Sequence, residues 1–189
     1  MSAKPSIVVA YGSTYGDTAD AAERIAAALT ERAATEPAVR DIAHSAVHEL
    51  AAFDVLLLGC STWNVGELQS DWASKADELG KLDLRGKRVA LFGSGDQVGY
   101  PDTYVDALGH LAERVEARGA ELAGSWPAVG YHHTASLAQR GGRFVGLALD
   151  ATNQHEWTGS RIDRWVLQLM DELVLWSGRR AEPAATAPP

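Results

Sequence analysis

Short apolar runs alternate with longer segments of helical period along the chain. The runs are Ile7–Tyr11, Val55–Cys60, Val89–Gly93 and Phe144–Leu149, with weaker ones around Val39–Ile42 and Glu121–Trp126. Each run is too short for a helix, so the runs are predicted to be strands. The alternation predicts a doubly wound α/β domain with a five-stranded parallel sheet, helices on both faces and a long excursion over residues 127–142.

Three longer segments carry apolar residues at helical spacing and are predicted to turn that stripe toward the core. The stripes are Ala22, Ile25, Ala26 and Leu29; Leu108, Leu111, Ala112 and Val115; and Ile162, Trp165, Val166, Leu169, Leu173 and Trp176. Residues 1–177 are predicted to form one domain. Residues 178–189 are rich in Ala and Pro without an apolar period, so we expect a disordered tail there.

Composition narrows the possible functions. With 17 basic and 25 acidic residues, the chain has a formal net charge of −8, which disfavours nucleic acid and anionic membranes and favours basic protein partners. Its single cysteine, Cys60, excludes an internal disulfide, and the sequence has no Cys/His cluster with metal-ligand spacing. No apolar stretch approaches the roughly 18 residues of a membrane span. We therefore expect a cytoplasmic protein without a metal.

The turn after the first predicted strand has the composition of an anion site. It contains the candidates Ser13, Thr14, Tyr15, Gly16, Asp17 and Thr18. Backbone N–H groups and the helix dipole bind phosphate without lysine, and hydroxyls add hydrogen bonds. Neither G-x-x-x-x-G-K-[ST] nor G-x-G-x-x-G is present, which argues against a triphosphate or a dinucleotide and leaves a monoester phosphate. A turn whose hydroxyls only cap the helix explains these residues equally well.

Two further turns each place a large aromatic residue beyond a strand end, where ligands bind in open parallel sheets. The candidates are Ser61, Thr62, Trp63, Asn64, Val65 and Gly66 in one turn, and Gly93, Asp96 and Tyr100 in the other. Two aromatic residues can clamp a flat ring, each stack being worth about 1 kcal/mol beyond area burial. The three turns together predict a site for a phosphorylated planar heterocycle.

These motifs resemble those of flavodoxins of the long-chain type. The resemblance rests on the turn at residues 13–18 (the phosphate turn) and on residues 59–72 (GCSTWNVGELQSDW), 92–109 (FGSGDQVGYPDTYVDALG) and 141–154 (GGRFVGLALDATNQ). It implies non-covalently bound FMN, a sheet of strand order 2-1-3-4-5, and a low-potential one-electron carrier that is not an enzyme. The excursion after Trp126 resembles the loop that splits the last strand in long-chain members.

The resemblance also implies roles for individual residues. Trp63 would stack on one flavin face and Tyr100 on the other, while Asp96 would meet the pyrimidine edge. The peptide between Asn64 and Val65 resembles the one that turns over on reduction and offers its carbonyl to the flavin N5–H. The resemblance implies that this rotation of the peptide stabilises the one-electron-reduced flavin.

Two residues of the phosphate turn depart from the family pattern. Tyr15 stands where the family usually has a threonine, so one hydroxyl donor to phosphate is displaced or lost. Asp17 adds a negative charge beside the phosphate, at a cost of about 1 kcal/mol if it is exposed. We expect Asp17 to face solvent, because an acid in the first turn of a helix also favours the helix dipole.

Acidic residues without any Lys or Arg occupy the segments around the predicted flavin. They are Glu67, Asp71, Asp96, Asp102 and Asp106. Their charge disfavours a second electron on the flavin and attracts basic docking surfaces. The expected partners are therefore basic redox proteins that dock transiently on a monomer, such as a ferredoxin/flavodoxin–NADP reductase, an oxidoreductase, nitrogenase or a cytochrome system.

Other residues have ordinary structural interpretations. We expect Cys60 to be a small core residue, His132 and His133 to lie at the surface, and Trp157 and Trp165 to be core residues.

An alternative function is an FMN-dependent quinone reductase, which needs an open pocket above the flavin and does not fit two covering aromatics. A phospho-acceptor regulator needs acidic residues after the first strand, where this chain has glycine and serine.

Overall fold

The strongest apolar runs form the middle of a parallel sheet. The computed structural model describes residues 4–33 and 36–181. The strands are β1 (Ile7–Gly12), β2 (Ala38–Asp41), β3 (Val55–Cys60), β4 (Thr62–Trp63), β5 (Glu67–Leu68), β6 (Arg88–Ser94), β7 (Glu121–Ala123), β8 (Trp126–Pro127), β9 (Gln139–Arg140), β10 (Arg143–Phe144) and β11 (Leu147–Leu149). The helices are α1 (Asp17–Ala33), α2 (Ser70–Leu79), α3 (Asp106–Glu116) and α4 (Thr158–Ala181). Short 3-10 helices cover Ile42–His44, Val47–Ala52 and His155–Trp157.

The main sheet confirms the predicted strand order. Its strands pair in parallel as β2-β1-β3-β6, and both β7 and β11 pair with β6. The fifth position of the 2-1-3-4-5 order is thus filled by two short strands in succession. Every residue of β3 is buried, and successive side chains of a strand point to opposite faces. Both faces of the sheet are therefore covered, as in a doubly wound fold.

The excursion divides the fifth strand, and the division falls inside one of the predicted apolar runs. The run predicted at Phe144–Leu149 is two strands, β10 and β11. Between them, Gly146 lies so close to the Leu91 carbonyl that a Cβ would collide with it. Phe144 belongs to a separate antiparallel sheet of order β8-β10-β9. The other half of the strand ends at Ala123, since Gly124 adopts a positive φ of 73°.

The helices present the predicted stripes to the core. The described members of all three stripes are buried, and α1 packs against α4. Trp165 is buried as predicted, but Trp157 is 54% exposed, so its assignment to the core was wrong. Helix α4 includes residues 178–181 of the predicted tail. Residues 182–189 and the side chain of Trp176 lie outside the described part, so the tail stays a prediction.

Cys60 is buried at the end of β3, as expected of a core residue. Burial raises the pKa of its thiol to about 12, which keeps it protonated and unreactive. Within residues 4–33 and 36–181, no helix combines the length and apolar character needed to cross a bilayer.

Candidate functional site

A cleft of about 310 Å³ opens beyond the carboxyl ends of β1, β3, β6 and β11. Its volume is at the lower end of the range typical of small-molecule sites. Its walls are formed by the three predicted turns and by one residue that follows β11. The lining residues are Ser13, Thr14, Tyr15, Asp17, Thr18, Ser61, Thr62, Trp63, Asn64, Ser94, Gly95, Asp96, Tyr100 and Thr152.

The phosphate turn ends directly in the first turn of α1. Ser13 Oγ accepts a hydrogen bond of 3.2 Å from the Gly16 N–H, and the Gly16 carbonyl accepts the Asp20 N–H at 2.8 Å. Thr18 is 2% exposed, and its hydroxyl has no hydrogen-bond partner among the described residues. A buried polar group is normally paired. Because Thr18 also lines the cleft, its hydroxyl is a candidate contact for a polar group of a ligand.

Gln69 connects the first two turns. This buried residue caps α2, its Oε1 accepting the Asp71 N–H at 3.0 Å. Its Nε2 donates to Thr14 Oγ1 at 3.2 Å and to Asp71 Oδ2 at 2.6 Å. The amide of Gln69 thereby fixes the hydroxyl of the phosphate turn relative to the second turn. Gly12 lies so close to Gln69 that a side chain at this position would displace it.

The second turn is a hairpin formed by β4 and β5. Trp63 pairs with Glu67 across the hairpin, and its Nε1 donates to Ser61 Oγ at 3.0 Å. Asn64 adopts a left-handed φ of 47°, and its Nδ2 donates to Glu67 Oε2 at 2.7 Å. Gly66 has a φ of 85°, which few residues other than glycine adopt. These contacts define the conformation of the turn around Trp63.

The hairpin rests on the beginning of α3. Thr62 Oγ1 accepts the Ala107 N–H at 3.1 Å. Asp106 is 5% exposed, and its Oδ1 accepts the Leu137 N–H at 2.7 Å. Burial raises the pKa of this carboxyl group. Asp106 therefore joins the site to the excursion, and it is not one of the exposed acidic residues around the cleft, contrary to the prediction.

Buried Asp150 connects the third turn to the turn that follows β11. Asp150 is 0% exposed and accepts hydrogen bonds from the Gln97 side chain at 2.8 Å and from the Asn153 N–H at 2.9 Å. Asn153 Nδ2 also donates to Asp96 Oδ1 at 2.8 Å. Hydrogen bonds from the Gly99 N–H and from Asn153 lower the pKa of Asp96. Its carboxylate is therefore ionised and accepts hydrogen bonds both from its own turn and from Asn153.

Four predicted candidates are not among the lining residues. Gly16 adopts a φ of 102° within the phosphate turn, and Gly66 packs toward Asp106. Val65 is exposed at the tip of the hairpin. Gly93 lies inside the sheet, where a Cβ would collide with the Cys60 carbonyl.

Three lining residues were not predicted. Ser94 and Gly95 immediately precede Asp96, and Thr152 follows β11. Their position at the carboxyl ends of strands was the available signal. Asp17 lines the cleft and is also exposed, as expected.

The charge around the cleft is negative. Glu67 and Asp102 are exposed, and Asp71 is partly exposed. No Lys or Arg occurs in segments 12–23, 61–72 or 94–106. Among the described residues, no group of three His, Cys, Asp or Glu side chains is arranged to hold a metal ion.

The two adjacent histidines differ in their surroundings. His132 is exposed as predicted, but His133 is only partly exposed. The ring of His133 lies 5.4 Å from that of Tyr104 and 5.1 Å from that of Phe144. His133 therefore packs against Tyr104 and Phe144 and is not a surface residue, contrary to the prediction.

Comparisons of the sequence and of the fold with known proteins point to the same family. The family model described as Flavodoxin matches residues 9–165. A flavodoxin of a Picosynechococcus species is 46% identical over 84% of this chain and 92% of its own length. Flavodoxin 1 of Escherichia coli strain K12 is 44% identical over 87% of this chain and 93% of its own length. The crystal structure of Fusobacterium nucleatum flavodoxin bound to flavin mononucleotide has a TM-score of 0.83 and 27% identity, covering 89% of this chain and 98% of that one.

Proposed function

Because the chain belongs to the flavodoxin family, we propose that it carries electrons one at a time between redox proteins on a non-covalently bound FMN. Flavodoxins are electron-transfer proteins and not enzymes, so no catalytic residue is assigned. The observation that carries the proposal is one cleft in which a phosphate turn meets two aromatic side chains, Trp63 and Tyr100. A low reduction potential, the identity of the partners, a cytoplasmic location and a monomeric state remain predictions.

The residues of the cleft fit FMN. The unpaired hydroxyl of Thr18 lies at the start of α1, where backbone N–H groups and the helix dipole favour a phosphate. Ser13 and Thr14 add hydroxyls on the same side of the cleft. Trp63 and Tyr100 supply ring surfaces for a planar heterocycle. The backbone around Asp96 is the proposed partner of the ring's polar edge, because the Asp96 carboxylate already accepts hydrogen bonds from its own turn and from Asn153.

When bound, FMN supplies a centre that accepts and releases single electrons. The chain's own residues decide how readily it does so. The indole of Trp63 excludes water from the ring and disfavours added negative charge. When FMN is bound, the carbonyl of the peptide between Asn64 and Val65 would accept a hydrogen bond from the flavin N5–H. Nearby carboxylates oppose a second negative charge by Coulomb repulsion, which supports a low potential for the second electron.

The acidic rim supports transient docking of basic partners. Asp17, Glu67 and Asp102 are exposed around the cleft, and like charges concentrated at one end of a protein attract oppositely charged surfaces over a Debye length. Electrostatic attraction of this kind increases association rates more than affinity. A carrier that must leave each partner quickly requires this combination.

The rate of electron transfer to a basic reductase is expected to fall roughly tenfold as salt rises, because charges at the rim are screened within about 10 Å at 0.1 M. Stopped-flow mixing of the reduced chain with the reductase measures the second-order rate constant across a salt series. Asp102→Asn should lower both this rate constant at low salt and its salt dependence.

Glu31→Gln is the matched control for this charge change. Glu31 is an exposed acid near the far end of α1, about 20 Å from the Asp17 end at 1.5 Å per residue. It should leave the salt series unchanged. Rates that ignore salt, or that respond equally to both substitutions, would show that the partner does not dock on the acidic rim.

A further inference from the structure

Tyr15 contacts the aromatic residue that the family resemblance places on the flavin. The ring centroids of Tyr15 and Trp63 lie 5.4 Å apart, and the ring planes are inclined by 31°. This separation lies within the range of attractive aromatic pairs. The contact joins the phosphate turn to the hairpin, and both residues line the cleft.

The Tyr15 ring lies beside Trp63 at the protein surface. The side chain is 85% exposed, so its ring is not held by the core. Trp63 is partly buried, and the hydrogen bond from its Nε1 to Ser61 Oγ fixes one point at the edge of the indole. The Tyr15 ring at 5.4 Å adds a second contact, which restricts the tilt of the indole plane.

We propose that Tyr15 is a positioning residue whose ring holds the indole of Trp63 in the orientation that stacks on FMN. The proposal rests on the proposed function, since it takes Trp63 as the stacking residue. It gives Tyr15 a role different from the threonine that the family usually has at this position. Tyr15 acts on the flavin through Trp63, and its effect is expected to depend on its ring and not on its hydroxyl.

Two substitutions separate the ring from the hydroxyl. Tyr15→Phe keeps the ring, whereas Tyr15→Thr keeps a hydroxyl and removes the ring. In the chain without FMN, the near-ultraviolet circular dichroism lost in Trp63→Ala defines the Trp63 signal. We expect Tyr15→Phe to retain this signal and Tyr15→Thr to lose most of it.

The second reduction potential of the FMN-bound chain provides the functional readout. Tyr15→Thr should shift the equilibrium of the second reduction about two- to tenfold in the same direction as Trp63→Ala, while Tyr15→Phe should shift it less than about twofold. In the Trp63→Ala background, Tyr15→Thr should have no further effect, because the residue through which it acts is gone.

Three outcomes would overturn the proposal. The first is a Tyr15→Thr variant with an unchanged Trp63 signal and an unchanged second potential. The second is additive effects of the two substitutions, and the third is a Tyr15→Thr variant that changes only FMN affinity, which would make Tyr15 a displaced phosphate donor. If the chain takes up no FMN, the proposed function fails, while the circular dichroism still decides whether Tyr15 orders Trp63.

Discussion

Thr18→Val is expected to weaken FMN binding about tenfold to a hundredfold, because a hydrogen bond to a charged group contributes about 1.5–3 kcal/mol. Valine matches threonine in shape, and the Thr18 hydroxyl is buried without a partner among the described residues. Removing it should leave the chain without FMN as stable as before or slightly more stable. Fluorescence titration with FMN and urea unfolding of the FMN-free chain measure the two effects.

Riboflavin and Thr30→Val provide the controls. Riboflavin lacks the phosphate, so its affinity should be the same for the chain and for Thr18→Val. Thr30 lies on the same helix, but its hydroxyl bonds to the Ala26 carbonyl at 2.9 Å. Thr30→Val should therefore leave FMN affinity unchanged. Equal losses for FMN and riboflavin would show that Thr18 supports the ring site and not the phosphate.

Substitutions at Trp63 and Asn64 are expected to move different reduction steps. Trp63→Ala should raise mainly the second potential, because stacking disfavours the electron-rich, fully reduced ring. A stack worth about 1 kcal/mol corresponds to roughly 40 mV, since a tenfold change is about 59 mV for one electron. Spectroscopic redox titration resolves the two one-electron steps.

Asn64→Gly should raise mainly the first potential. Asn64 has a φ of 47° and is bound to Glu67, and glycine would let the following peptide turn toward the flavin at lower cost. Asn64→Ala is the matched control, because it also loses the bond to Glu67 but does not gain the freedom of glycine. If Trp63→Ala and Asn64→Gly moved the same potential, or neither moved any, these separate roles would be wrong.

Much of the fold was predictable because its central strands are buried on both faces. Such strands appear as uninterrupted apolar runs, and the run Val55–Cys60 coincides with β3. The division after Phe144 was not predicted, because it depends on which strands the two halves pair with: Phe144 pairs with β8 and β9, whereas Leu147–Leu149 pairs with β6. These partners are distant in sequence, so the apolar pattern of the run does not distinguish them.

The residue types of the site were predictable, whereas the contacts between the turns and the rest of the fold were not. Hydroxyls and aromatics after strand ends identified the three turns, since parallel strands end at one edge of the sheet. The burial of Asp106 and the support given by Asp150 depend on the folded excursion and on the turn after β11. Acidic residues of identical type therefore have different roles, which composition alone does not distinguish.

Stepwise reduction of the FMN-loaded chain under anaerobic conditions, followed by its visible spectrum, shows directly whether the chain carries electrons one at a time. We expect one FMN per chain and a half-reduced flavin that accumulates midway, with long-wavelength absorbance absent from the oxidised and fully reduced forms. Direct conversion from the oxidised to the fully reduced spectrum would contradict one-electron transport and favour a two-electron quinone reductase. A purified chain that binds no flavin would show that it is not an FMN carrier.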